Sequence, residues 1–148
     1  MNYYAFIDRL RTILKEEPFV NTVTSGDISA VDIKKQTIYP LVHIIPNNVS
    51  FNGNTITYNV SLIGADLVDV SKEATTDQMT GNDNEVDIIN TIQALFNRVF
   101  DRIKRGDLYG EMEVDNASIE YFRERFENNL AGCTFTFDVT VANEMSIC

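Results

Sequence analysis

Residues Gly132–Asn143 read GCTFTFDVTVAN. Cys133, Phe135, Phe137, Val139 and Val141 fall on one side of a two-residue period, and Thr134, Thr136, Asp138 and Thr140 on the other. A period of two with one apolar side is the pattern of a half-buried strand. Just upstream, Asn128-Asn129-Leu130-Ala131-Gly132 has turn composition. Before it, Ser118–Phe126 (SIEYFRERF) sets Ile119, Tyr121, Arg123 and Arg125 against Glu120, Phe122, Glu124 and Phe126. That segment taken alone fits helix or strand. The turn and the regular strand after it decide for strand, and predict that 118–126 pairs antiparallel with the closing stretch.

The remaining elements follow from the same patterns. Phe6, Leu10, Ile13 and Leu14 recur at three- and four-residue spacing, which predicts a helix over 3–15, capped by Asn2 and ended by Glu16-Glu17-Pro18. Phe19–Thr24 (FVNTVT) reads as a short strand. Ile28–Ile38 is ambiguous and reads as a loop. Tyr39–Pro46 (YPLVHIIP) reads as a strand with prolines marking its ends. Asn52-Gly53 favours the positive φ of a tight hairpin turn, and Thr55–Asp66 alternates behind it, with Ile56, Tyr58, Val60 and Leu62 on one side. A long polar stretch, 66–84, separates this hairpin from a second helix over 85–104. Ile88, Ile92, Leu95, Phe96, Val99 and Ile103 form the apolar face of that helix, and Gly106 stops it. Residues 107–114 read as irregular, with a short strand at Met112–Val114.

Strands in adjacent hairpin pairs around two helices predict an α+β fold: an antiparallel sheet of four or more strands, with two amphipathic helices packed on one face. No repeat, linker or low-complexity tract divides the chain, so 1–148 is expected to be one domain.

The chain has 148 residues, 44% hydrophobic and 23% charged, enough for a core. No apolar run approaches the roughly 20 residues of a membrane span, and the charged N-terminus does not read as a secretory signal. The net charge of −10 excludes affinity built on phosphate neutralisation. It is compatible with nucleic acid passing nearby, since an acidic wall repels phosphate. Cys133 and Cys148 lack metal or redox spacing and read as a buried small side chain and a free terminal thiol.

Catalytic constellations are missing. His43, the single histidine, sits mid-strand without a companion nucleophile, carboxylate or second ligand, and reads as structural. The acids of Asp77–Asp87 lack the alternate spacing of a calcium loop, because Gln78, Met79 and Thr80 occupy the approach to Gly81. Arg123 and Arg125, beside Glu120, Glu124 and Glu127, read as cross-strand or intersubunit ion pairs. No metal site and no cofactor are expected, and the chain is not expected to be an enzyme. Thr134, Thr136 and Thr140 give the closing strand a polar outer side free of repulsive lysines. Two outcomes stay open: assembly through the sheet, or a monomer whose edge is covered by 19–24 or by the long loop.

The layout resembles the small tail-terminator, or tail-completion, proteins of long-tailed bacteriophages, including neck and head-tail joining ring proteins. The resemblance is carried by NYYAFIDRLRTILKE, by YPLVHIIP, by the hairpin VSFNGNTITYNVSLIGADLVD, by EVDIINTIQALFNRVFDRI and by the closing RFENNLAGCTFTFDVTVAN. It implies a structural virion protein, assembled in the host cytoplasm. Copies would form a homo-oligomeric ring, sixfold or a multiple, that ends the tail tube and joins it to the connector. DNA would pass through without specific binding, and the partners would be the chain itself, tail-tube protein and neck protein. On this reading Asp66, Asp69, Glu73, Asp77 and Asp83 are candidates for the lumen or inter-ring loop, and Arg123, Arg125, Thr134, Thr136 and Thr140 for subunit contacts. The alternative is a small intracellular protein-binding module acting through its sheet edge or acidic loop.

Overall fold

The computed structural model describes residues 3–20, 22–25, 40–67, 85–105, 112–125 and 130–142. The elements are α1 (Tyr3–Lys15), β1 (Thr22–Ser25), β2 (Leu41–Asn52), β3 (Thr55–Leu67), α2 (Glu85–Lys104), β4 (Glu113–Arg125) and β5 (Leu130–Ala142). Both helices occupy the spans that their apolar periodicity predicts. The ambiguous stretch Ile28–Ile38 lies outside the described residues.

The strands form one sheet in the order β1-β2-β3-β5-β4. β2–β3, β3–β5 and β5–β4 are antiparallel, but β1 lies parallel to β2, Thr22 opposite Leu41 and Ser25 opposite Ile44. The sheet is therefore mixed, which corrects the antiparallel expectation. A parallel pair needs a crossover of about a dozen residues or more, and residues 26–40 separate the two strands. No hairpin signal accompanies such a pairing, so hairpin logic misses it.

Three local readings also change. β2 does not stop at Pro46 but runs on to Asn52, with a register shift between Pro46 and Asn48. A proline is tolerated there because a bulge on an outer strand spares the missing N–H. Met112–Val114 and 118–126 are not two strands but parts of β4, bent where the register shifts between Asp115 and Ser118. Asn116 takes φ 52° at that bend, a conformation that asparagine tolerates better than most residues. Leu130–Gly132, read as part of the turn, already belong to β5, which lies between β3 and β4. The Asn52-Gly53 turn forms as read, with Gly53 at φ 62°.

Both helices bury their stripes in one cluster with the alternate residues of the sheet. Phe6 of α1 stacks on Tyr58 of β3 at 4.4 Å between ring centroids. Phe96 of α2 meets Phe135 at 5.4 Å, and Phe135 meets Phe137 at 4.7 Å. Each fully buried large apolar side chain contributes about 1.5–3 kcal/mol. Two ion pairs link the end of α1 to α2: Arg98 to Glu17 at 2.9 Å and Arg102 to Glu16 at 2.8 Å. Arg98 and Glu16 stay well exposed, and such pairs give at most about 1 kcal/mol each. The apolar stripes therefore hold the helices down, and the ion pairs fix the turn between α1 and β1.

β3 and β5 meet through small residues where Gly64 faces Cys133 and Ala65 faces Gly132. A Cβ on Gly132 would overlap the Gly64 carbonyl oxygen, whereas one on Gly64 would meet the tips of Ile92 and Phe96 at 2.6 and 2.9 Å. Backbone cannot yield as side-chain tips can. Gly132→Ala is therefore expected to cost about 3 kcal/mol, lowering the melting temperature by about 10 °C. Gly64→Ala is expected to cost less. Thermal melts of the two variants check this order.

Candidate functional site

The helices cover one face of the sheet and leave the other to divide in two. At one end Leu41, Ala65, Phe122 and Leu130 form a second, smaller buried cluster. At the other end the alternation of β3 and β5 brings polar side chains into register. Thr57 meets Thr140 at 3.0 Å and Ser61 meets Thr136 at 3.0 Å. Between them a row crosses all four long strands. Asn47 Nδ2 donates to Asn59 Oδ1 at 2.8 Å, Asn59 Nδ2 to Asp138 Oδ1 at 2.7 Å, and Asn116 Nδ2 to Asp138 Oδ2 at 2.9 Å. The β2 and β4 bulges supply the two ends of this row, Asn47 and Asn116.

Asp138 thus receives an amide N–H on each oxygen. The Asn116 amide first, then that of Asn59, holds its carboxyl below the usual carboxylate range, against a small opposing effect of burial. Asp115, which sits opposite Asp138 in register, adds a second acid to this face. The row is a hydrogen-bonded, acidic surface. Among the described residues no group of three histidine, cysteine or acidic side chains could hold a metal ion.

The sequence candidates fall in different places. Thr134, Thr136 and Thr140 are half-buried on this second face, and two of them are engaged by β3 hydroxyls. Because β5 is paired on both sides, they can meet a partner only through the face, never through an edge. Arg123 and Arg125 lie on outer strand β4, their side chains outside the described part. Asp66 is half-buried at the end of β3, opposite Ala131. Asp69, Glu73, Asp77 and Asp83 lie outside the described residues, as does Cys148. His43 is fully buried, its Nδ1 2.6 Å from Thr24 Oγ1 across the β1–β2 pair. Burial pushes the Cys133 thiol up to about 11, which suppresses the thiolate needed for reactivity.

Two features at the sheet's rims escaped the sequence reading. β1 pairs with β2 only from Leu41 to Ile44, so among the described residues no strand covers the outer side of Ile45–Asn52. That segment carries no charge and exposes Val49 (41%) and Phe51 (73%). At the opposite rim a groove of about 530 Å³ runs between α2 and β4. Asn90, Gln93 and Asn97 edge it, Phe96, Phe100 and Ile119 give it an apolar floor, and none of its lining residues is charged. Tyr121 stands beside it, its hydroxyl donating to Gln93 Oε1 at 2.6 Å. The signal for the first rim was present in the sequence: twelve residues, Leu41–Asn52, without a charge. The groove had no sequence signal, because it depends on where α2 crosses the sheet.

No family model matches the chain, and no curated protein is similar to it.

The folded carboxyl of Asp138 titrates lower than an unfolded one, near 3.9. Its contribution is present above that value and lost as pH falls through the folded one. Wild type is therefore expected to melt higher than Asp138→Asn at pH 7, with the gap closing as pH drops below about 4. Paired thermal melts across pH 2–7 measure it.

Proposed function

We propose that this chain is a structural virion protein of the tail-terminator type. Copies form a ring at the head-proximal end of a phage tail or neck, end the tail tube and join it to the connector. The observation that carries this reading is the uncharged outer half of β2, with Phe51 exposed. Edge strands that stay solitary are normally blunted by charge, proline or a bulge; Pro46 and the bulge interrupt only the start of this one, and Asn48–Asn52 continues without a charge. In a chain of net charge −10, copies repel over most of their surface, so a neutral rim is where they can meet.

The one-sided helices support the same reading. A sheet covered on one face can curve into a ring wall, turning its other face to a lumen. Asp138, Asp115 and the threonine rows would then line a passage that repels phosphate, letting DNA move without binding. The partners are the chain itself, tail-tube protein and neck protein. The same bare rim could instead receive a strand of an unrelated protein, the mode of a small binding module. In that case the purified chain is a monomer.

Light scattering and negative-stain class averages separate the two. The expected outcome is a closed ring that seats on the ends of tubes when mixed with tail-tube protein. A chain that stays monomeric with tube protein present favours the module.

A further inference from the structure

The two rims fit each other, which rests on the ring reading above and specifies its joint. We propose that copies join head to tail by antiparallel pairing of Ile45–Asn52 with the last half of β4 of the next copy, Phe51 entering the groove beside α2.

Strand direction comes first. β2 and β5 both run against β3, and β4 runs against β5. Two copies side by side, with helices on the same face, therefore place β4 of one antiparallel to β2 of the next, the stronger form of pairing.

The register follows from β1. It already occupies the outer side of β2 from Leu41 to Ile44, so an incoming β4 can reach no further than Ile45. The longest pairing free of collision sets Arg125, the last residue of β4, beside Ile45. In β3 positions, Val49 lies three steps and Phe51 five steps from Ile45 (Ser61 to Tyr58 and Ile56). In β5 positions, Tyr121 lies three steps and Ile119 five steps from Arg125 (Leu130 to Cys133 and Phe135). Each strand has one bulge in this interval, and the two cancel. Val49 therefore meets Tyr121, and Phe51 meets Ile119.

The faces agree as well. Val49 and Phe51 oppose Tyr58 and Ile56, and Tyr121 and Ile119 oppose Cys133 and Phe135, all four of these partners in the helix-side core. Paired residues share a face, so Phe51 arrives on the side where the groove opens, next to its floor residue Ile119. Ile45–Asn52 and the groove lining are uncharged, and the β4 segment that pairs with Ile45–Asn52 is net neutral, with Glu120 and Glu124 against Arg123 and Arg125.

The joint also has the slope of a closed wall. Within one copy Ile45 is level with Ser118, because both oppose the Ser61–Thr136 pair. Moving to Arg125 shifts the next copy by six β5 positions, from Thr136 to Leu130, or about 20 Å at ~3.3 Å per residue. Around the joint each copy contributes four strands, β2, β3, β5 and β4, because β1 and the incoming β4 share the outer side of β2; four strands span about 19 Å at ~4.8 Å each. The resulting tilt is about 46°, at the steep limit of the roughly 35–45° of closed barrels.

Phe51→Glu tests the joint in the full-length chain. Phe51 is largely exposed in the single copy, so circular dichroism and melting are expected to stay unchanged while self-association weakens at least ~30-fold. In a Cys148→Ser background, Val49→Cys with Tyr121→Cys is expected to give a ladder of disulfide-linked multimers on mild oxidation. Val49→Cys with Val114→Cys, the pair that an unshifted register would join, is expected to stay uncrosslinked. A ring that survives Phe51→Glu, or that crosslinks through position 114 and not 121, overturns this joint while leaving the ring reading intact. A ring built by this joint that does not seat on tail tubes overturns the terminator reading alone. A wild-type monomer at high concentration overturns both.

Discussion

Everything in the molecule is arranged around one buried ridge, the helix-facing side of β5. Cys133, Phe135, Phe137, Val139 and Val141 are each at most 3% exposed. They lie beneath α2, in the core that α1 completes over β3, and β5 is paired on both flanks, to β3 on one side and β4 on the other. Phe135 is the pivot: it touches Phe96 of α2 above and Phe137 along its own strand. A ridge this apolar cannot face water, so β5 must be interior and the helices must cross it. Gly132 and Gly64, just beyond the ridge, let β3 and α2 approach β5 closely enough to close the cover.

Covering one face so fully has a consequence for the other. Alternation along β3 and β5 sends the aliphatic and aromatic residues of the central segment up and its threonine, serine, asparagine and aspartate side chains down. The lower face then satisfies its polar groups laterally, strand to strand, ending in the doubly bonded carboxylate of Asp138. The bulges at Asn47 and Asn116 are part of this arrangement rather than defects, since each swings an amide into the row. The same bulges bend the outer strands, and the rims they shape are where the proposed assembly contacts lie.

Much of this was legible in the residues, element by element. The spans of α1 and α2 follow from stripes of three- and four-residue spacing, and the β2–β3 turn from Asn52-Gly53. The β4–β5 hairpin follows from alternation on either side of 128–132. The errors share a cause. Pro46 was taken as a strand end because a proline breaks a ladder in general, but on an outer strand beside a bulge it breaks nothing. Residues 112–114 and 118–126 were read as separate strands because nothing local announces a left-handed residue, Asn116, inside one continuous strand. β1 was read as a strand, but its parallel partner lies across residues 26–40 and leaves no mark in either segment. The candidate threonines were identified as a polar face, yet their place mid-sheet depends on β4 inserting β5 between itself and β3.

What the sequence determined alone was therefore local: which segments are helix or strand, and which side of each is apolar. Those properties are written in the 3.6- and two-residue periods, which involve only near neighbours along the chain. The tertiary structure alone decided the strand order, the parallel β1, the Asn47–Asn59–Asp138–Asn116 row and the groove beside α2. Each of these depends on contacts between residues far apart in sequence, whose free energy exists only once β5 has been buried beneath the helices.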